Sequence, residues 1–348
     1  MPQATTLPAS DVVVTPYDDP LQAAHQRFAA KMWPSKRRRR ESRYNRWKFR
    51  GPATGPVAGL LLAVSEGEVL GQLGLIPAVL SLDGQSLPCQ WACDLMVDSS
   101  LRRRGIGSML FEAALARGMI TLGSNPSAAA DVTMQRIGFR PLVGPSIAVF
   151  PLDPSHVLSW RMPRALAWAT PLVGAALRPL LRWRGRRLFA GTRQAGAVGR
   201  GSWRSVAPMI AERQARQAEP QIVHGDRFLA WRCGGLPEFV DPLEALWTAD
   251  GSYAIVGAGA PLFYVFDWAA SSWEGCIALF ATIRAMASEV GALTLQAYAN
   301  DHEEREWLQR AGFLMLRQPA VILCHPPVKF IPRHSRMRYS IFDSDGNL

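Results

Sequence analysis

The residues best placed to do chemistry form the segment Arg102-Arg103-Arg104-Gly105-Ile106-Gly107-Ser108. It follows an apolar stretch that ends in Met96-Val97-Asp98, and it precedes a stretch with helical periodicity. A helix N-terminus offers unpaired N–H groups and partial positive charge, glycine permits close backbone approach, and arginine adds charge-assisted hydrogen bonds. The spacing therefore predicts an anion-binding loop at 102–108. It is neither a P-loop, which needs GKS/T, nor a dinucleotide GxGxxG motif.

Two polar residues near this loop are candidates for a catalytic role. Asp94 lies in the strand that leads to the loop, where a carboxylate acts as a general base or is paired with a neighbour. Asn125 follows the next strand, where it binds a ligand or caps the following helix. Both alternatives stay open for each residue. The sequence has no His, Cys and acidic residues at metal-ligand spacing, so no metal is expected.

The elements around the loop alternate between strand and helix patterns. Turn residues at Glu66-Gly67 and Asp83-Gly84 predict hairpins, and Asp250-Gly251 predicts another in the second half. The hydrophobic pattern predicts helices over 19–33, 105–118 and 127–137, and strands over 12–14, 57–65, 68–76, 91–97, 119–124 and 139–150. His25 falls on the polar side of its helix and is expected to be exposed. This order predicts an α/β fold with a mixed sheet.

A faint internal repeat divides the chain. The words Arg43–Phe49 and Met134–Phe139 recur in the same order as Arg227–Cys233 and Leu308–Phe313. Two copies of this length indicate a duplicated domain and not a solenoid. We therefore predict an N-terminal domain over 1–153, a linker over 154–204, and a degenerate second copy over 205–348.

Composition and charge limit the possible functions. The chain has 348 residues, 48% of them hydrophobic and 19% charged, which predicts two folded domains and excludes extensive disorder. The sequence shows neither a membrane-spanning run nor a secretory signal, and five scattered cysteines predict free thiols in the cytoplasm. The net charge of +11 comes largely from 154–204, which has ten arginines and no acidic residue.

The arginine-rich linker has two interpretations. One is a helix packed on a domain through Leu172, Ala175, Ala176, Pro179 and Leu180, with solvated arginines. The other is a basic amphipathic segment on the inner, anionic face of a membrane. Nucleic acid is not an expected partner, because the basic residues are concentrated in one segment and not spread over a folded face. The oligomeric state is left open.

The loop and its flanking elements resemble the GNAT acyltransferase superfamily. Arg102, Gly105 and Gly107 match its [Q/R]-x-x-G-x-[G/A] pattern after a strand that ends near Val97, and Asn125 and Gly138-Phe139 match features further along. The resemblance is good over 11–150 and faint over 205–324. It implies acetyl-CoA or another acyl-CoA as co-substrate. The pyrophosphate would lie on the 102–108 loop, with Met96 and Val97 beside the pantetheine arm.

The resemblance also implies an activity. The block around Trp47 is similar to a subgroup associated with bacterial exopolysaccharide and sugar acylation, which implies N-acylation of an amino sugar or a similar polar amine. Two departures stand out. Met134 occupies the position where many family members have a Tyr that acts as general acid, and the second copy, at Ser271–Cys276, lacks the loop. The alternatives are therefore a non-catalytic binding or scaffold protein at a membrane, and a relative of the aminoacyltransferases that build peptidoglycan bridges.

Overall fold

The computed structural model describes residues 12–52, 59–159, 162–188, 197–236, 238–259, 261–325 and 336–343; at 164, 167 and 180–188 it describes the backbone alone. The first half consists of β1 (Val13–Pro16), α1 (Gln22–Met32), α2 (Ser42–Arg50), β2 (Leu60–Ser65), β3 (Glu68–Leu82), β4 (Gln85–Val97), α3 (Ile106–Leu115), β5 (Ile120–Ser124), α4 (Ala128–Arg136), β6 (Arg140–Val143) and β7 (Ser146–Pro151). Short 3-10 helices cover Arg37–Arg40 and Ser99–Leu101.

The middle segment contains α5 (Pro154–Ser159), a 3-10 helix (Arg164–Ala169) and α6 (Thr170–Leu188). The second half consists of β8 (Gly199–Gly201), α7 (Ala207–Ala215), β9 (Gln221–Ile222), α8 (Asp226–Gly234), β10 (Glu244–Trp247), β11 (Tyr253–Gly259), β12 (Leu262–Ala269), α9 (Trp273–Glu289), β13 (Thr294–Ala299), α10 (His302–Arg310), β14 (Leu314–Met315) and β15 (Val321–His325). The α/β fold with mixed sheets is confirmed.

Two sheets with the same strand order form the core. The first runs β1-β2-β3-β4-β5-β15-β6, with β9 attached to β3, and the second runs β8-β10-β11-β12-β13-β7-β14. Each sheet therefore contains the last strand of the other half, with β15 between β5 and β6 and β7 between β13 and β14. The repeated sequence words lie at equivalent places, on α2 and α8 and at the ends of α4 and α10.

This exchange corrects the single strand predicted over 139–150 and determines how the predicted domain limit relates to the two sheets. The strand predicted over 139–150 is two strands in different sheets, because Gly144-Pro145 interrupts it. There the backbone crosses the other half, and a Cβ atom on Gly144 would lie 2.1 Å from the Ala320 carbonyl oxygen. The predicted domain limit at residue 153 therefore does not separate the sheets, since β7 precedes it in the chain but belongs to the second sheet.

Local signals positioned several elements correctly. The predicted hairpins occur with positive φ at Glu66 and Gly67 and at Asp83 and Gly84. The five cysteines are free and buried. The helices α2 and α8 meet at equivalent positions of the repeat, where the Trp231 indole N–H donates to the Trp47 carbonyl oxygen at 3.1 Å. Trp47 is therefore part of the contact between the halves.

Candidate active site

The 102–108 loop ends in an open helix N-terminus. Gly105 adopts φ +83° at the N-cap of α3 and offers no capping side chain. The Met109 N–H donates to the Gly105 carbonyl oxygen at 3.0 Å, so the N–H groups of residues 106–108 precede the first helical hydrogen bond. A Cβ atom on Gly105 or Gly107 would meet no atom within 4 Å. These glycines thus leave space at the positive end of the helix.

Charge and packing complete this loop. Arg102, Arg103 and Arg104 are exposed at its rim. Ile106 is buried, and its side chain packs over Gly71 of β3, where a Cβ atom would lie 3.1 Å from Ile106 Cγ2. Ile106 can therefore bind an anion only through its backbone N–H group, while its side chain packs α3 on the sheet. The geometry fits a pyrophosphate group; contacts of the individual residues with it remain predictions.

A gap between two strands opens beside the loop. The parallel pairing of β4 with β5 runs from Cys89 and Ile120 to Ala92 and Gly123, and then stops. Beyond that point β4 pairs with β3, and β5 pairs with β15. The end of β4, with Met96 and Val97, therefore borders a wedge whose other side is the end of β5. An extended ligand arm can bond to the backbone edge of β4 in such a wedge.

Asp94 lies at an irregular point of β4 beside this wedge. The register with β3 shifts between Gln72 and Gly74, so β4 bulges there, and Asp94 has φ +49°. Lys48 Nζ of α2 donates to Asp94 Oδ2 at 2.7 Å, and the Arg39 guanidinium donates to Oδ1. Lys48 is fully buried. Burial alone would raise the pKa of Asp94, but Lys48 and Arg39 outweigh it and lower that pKa.

A second set of hydrogen bonds holds the backbone at Asp94. The Gln72 side-chain amide donates to the Asp94 carbonyl oxygen at 3.4 Å, and His25 Nε2 lies 2.9 Å from Gln72 Oε1. His25 is buried at 1% exposure, so the expectation of an exposed His25 is wrong. Burial lowers its pKa and keeps the imidazole neutral.

Asn125 joins the two halves at the end of β5. Its N–H donates to the Val321 carbonyl oxygen at 2.8 Å, and the Val321 N–H donates to Asn125 Oδ1 at 3.0 Å. Its alternative role as a helix cap is wrong, because Ser127 Oγ accepts from the Ala130 N–H and caps α4. Contact of Asn125 with a ligand remains a prediction. Met134 is buried against Gly123, where a Cβ atom would lie 2.4 Å from its Cε.

The equivalent loop of the second half is closed. Ser272 Oγ accepts from the Gly275 N–H at 2.9 Å and caps α9. A Cβ atom on Gly275 would lie 2.2 Å from Ser252 Oγ and 2.4 Å from Asp250 Oδ2. A carboxylate therefore occupies the region that α3 leaves open, and it would repel a phosphate.

The C-terminal segment Arg336–Asp343 fills the second half further. The Ile341 N–H donates to the Phe266 carbonyl oxygen at the bulge of β12, and Arg232 donates to the carbonyl oxygens of Ile341 and Phe342. Arg232 is the counterpart of Lys48 in the repeat, so the equivalent buried cation binds backbone here and a carboxylate in the first half. Across the described residues, no group of His, Cys, Asp and Glu could hold a metal ion.

The sequence did not predict Lys48, Arg39 or Gln72 as part of this site. A signal existed for Lys48: it lies four positions after Tyr44 and next to Phe49, on the face of α2 that is buried. A lysine on the apolar face of a helix indicates a buried partner, because an unpaired buried charge is too costly. No local signal identifies Arg39 or Gln72.

A mixed sheet whose parallel central strands part beside an open, glycine-bearing helix N-terminus defines the fold of GNAT acyltransferases. Residues 24–118 match the family model described as acetyltransferase (GNAT) domain. This match covers about a quarter of the chain, and together with the fold it supports an enzyme of the acyltransferase class. A search of curated protein sequences found no significant match.

Solved structures share this fold at low identity. A GCN5-related N-acetyltransferase from Kribbella flavida has 16% identity and a TM-score of 0.58 over 90% of this chain and 70% of its own. A putative acetyltransferase from Pyrococcus horikoshii has 11% identity and a TM-score of 0.55, covering 95% and 94%. The Saccharomyces cerevisiae N-myristoyltransferase with bound myristoyl-CoA has 9% identity and a TM-score of 0.57, covering 92% and 84%. These similarities extend over both halves.

Proposed function

We propose that this protein transfers an acyl group, acetyl in the simplest case, from acyl-CoA to the primary amine of an amino sugar or a similar polar small molecule. The observation that carries the proposal is the open α3 N-terminus, with three arginines, beside the wedge between β4 and β5. The loop would hold the pyrophosphate, and the edge of β4 would bind the pantetheine arm. The myristoyl-CoA complex of a structural neighbour leaves longer acyl chains as a variant of the same proposal.

The chemistry needs an aligned thioester, a stabilised oxyanion and a free amine. Acyl-CoA supplies the activated acyl group, and a backbone N–H near Val97 is the proposed oxyanion donor. Of the two roles open for Asp94 we assign the paired one, because two cations lower its pKa and make it a weak base. Asp94 then fixes α2 and the 37–40 helix against the bulge, and the acceptor amine loses its proton to solvent.

A cleft beside the Arg37–Arg40 helix is the proposed acceptor site. It has a volume of about 640 Å³ and is lined by Ser35, Lys36, Arg37, Arg38, Glu41, Glu238 and Phe239. The Arg39 side chain connects the Arg37–Arg40 helix, which lines the cleft, to the β4 bulge. The Tyr44 ring contacts Arg38 and Phe239 of this lining, and its hydroxyl is buried without a hydrogen-bond partner among the described residues. Mixed charges around one aromatic ring suit an amine that also carries an anionic group.

We further propose that the chain is a tandem duplication of a GNAT-like domain with a single acyl-CoA site. The equal strand orders and the closed loop at Ser272 support this. The predicted ranges 1–153 and 205–348 then describe the two copies in sequence, although the copies exchange a strand in space. The proposed localisation is the cytoplasm, with peripheral contact to a membrane.

Isothermal titration with acetyl-CoA tests the site. Gly107→Asp should reduce affinity at least tenfold, because a carboxylate would compete with pyrophosphate at the helix N-terminus. The same charge is favourable to the helix itself, so the fold should be retained. Gly225→Asp is the matched control, since Gly225 also starts a helix and a Cβ atom there would meet no atom within 4 Å. Parental acetyl-CoA affinity in Gly107→Asp would refute the loop assignment.

A second arm tests the reaction. Thiol release from acetyl-CoA is measured with glucosamine, with glucosamine 6-phosphate and with an amine-free buffer as blank. Acetyl-CoA binding without amine-dependent thiol release would support the site and refute this choice of acceptor.

A further inference from the structure

An apolar surface faces outward in the arginine-rich segment. The side chains of Trp168 and Leu172 are 71% and 67% exposed, and Leu166 and Val173 are 47% and 39% exposed. All four lie within eight consecutive residues, on the 3-10 helix and the first turn of α6. Large apolar side chains that cluster at the surface mark a contact with another partner.

The opposite side of α6 fixes this orientation. A Cβ atom on Gly174 would lie 1.9 Å from Ser155 Oγ, so α6 packs closely on α5 there. The Arg178 guanidinium donates to Asp153 Oδ2 at 2.6 Å and ties the helix to the end of β7. Leu172, Ala175, Ala176 and Pro179 are exposed, so α6 packs through its other side and not through the predicted apolar face; the Leu180 side chain of that face lies outside the described residues.

The charge of the segment selects the partner. The apolar residues are followed by Arg182, Arg184, Arg186 and Arg187 on the same helix, and 154–204 contains no acidic residue. A second copy of the chain would bring the same positive charge to the contact and repel it. A nucleic acid would match the arginines and leave Trp168 and Leu172 in water. A surface that is anionic outside and apolar beneath satisfies both features.

We propose that residues 166–188 bind the surface of an anionic lipid bilayer. The exposed apolar side chains enter the boundary between headgroups and acyl chains, and the arginines pair with anionic headgroups. Among the described helices none is long and apolar enough to cross a membrane. The proposed contact is peripheral, and it does not depend on acyl transfer because it needs no substrate.

Co-sedimentation of the full chain with vesicles tests the inference. The vesicles are phosphatidylcholine alone, or phosphatidylcholine with about one third phosphatidylglycerol. We expect binding to the anionic vesicles only. Replacing the four arginines 182, 184, 186 and 187 with Gln should reduce the partition coefficient about fivefold per residue. The double variant Trp168→Ser/Leu172→Ser should reduce it about tenfold or more, and Val290→Ser, at an exposed position of 59%, should not.

Several results would overturn the inference. One is a parent protein that does not bind anionic vesicles, and another is variants that bind as the parent does. Sedimentation velocity tests whether a second copy of the chain binds this face instead. The face would be assigned to a second copy if the parent protein does not bind vesicles and forms a dimer that Trp168→Ser/Leu172→Ser converts to monomer. The salt dependence of vesicle binding needs no variant. Binding that is unchanged at high ionic strength would exclude pairing of the arginines with anionic headgroups.

Discussion

Replacing Asp94 with Asn separates a structural ion pair from a general base. The substitution keeps the size of the side chain and suits the positive φ of this position, so the backbone should tolerate it. It removes the charge that faces Lys48, whose side chain has 0% exposure. A buried ammonium left without its counter-ion costs about 3–5 kcal/mol, and we expect the free energy of unfolding to fall by that amount.

Urea unfolding measures this loss, and a double-mutant cycle assigns it. Lys48→Met removes the buried charge, so Asp94→Asn should cost much less in that background. Asp83→Asn is the matched control: Asp83 also has a positive φ, 50°, but it lies exposed in the β3–β4 turn. Because the pKa of Asp94 is lowered by folding, its contribution exists above the unfolded-state pKa of about 3.9 and is lost as pH falls through the lower folded-state value.

A different result would refute the reasoning. If Asp94→Asn unfolds like the parent protein, the pair does not stabilise the fold. If kcat in addition falls by about 10²–10⁴ at neutral pH and the defect shrinks as pH rises, Asp94 is the general base of the reaction.

Two further predictions concern charged groups in other parts of the molecule. Burial alone would lower the pKa of His224, but Asp343 and Asp267 outweigh it and raise that pKa to about 9. Stability from this pairing is therefore complete below about pH 6.5 and is lost as pH rises through about 9; Asp343→Asn should flatten the slope in urea unfolding, and an unchanged slope would contradict this. In the cleft, Arg38→Gln should raise KM for glucosamine 6-phosphate about tenfold or more and leave KM for glucosamine nearly unchanged. Arg216→Gln, at the exposed C-terminal end of α7, is the control, and equal effects on both acceptors would contradict an anion contact.

Features set by neighbouring residues could be predicted from the sequence. The glycine at the start of α3 and the Asp83-Gly84 turn follow from backbone preferences that act within a few residues. The repeated words are also local in the sequence, and they identified α2 and α8, and α4 and α10, as equivalent. The chemistry of the 102–108 loop was readable because its glycines and arginines are contiguous.

Features that depend on residues distant in the sequence could not be predicted. The strand predicted over 139–150 has the right residues, but its division depends on Ala320, which crosses Gly144. His25 looked exposed because its partner, Gln72, comes from a strand of the hairpin and not from its own helix. The orientation of the α6 apolar face is another such case, since a periodic pattern shows which residues share a face and not what covers it.

The exchange of β7 and β15 also sets the order in which the protein can be completed during synthesis. β6 emerges from the ribosome long before β15, the strand that lies between β5 and β6. Until Val321–His325 has been made, β5 and β6 present open edges, which other chains can pair with. A nascent chain therefore carries its first sheet unfinished from the synthesis of β6 until that of β15. A premature stop anywhere before Val321 would release a product whose first sheet lacks an inner strand.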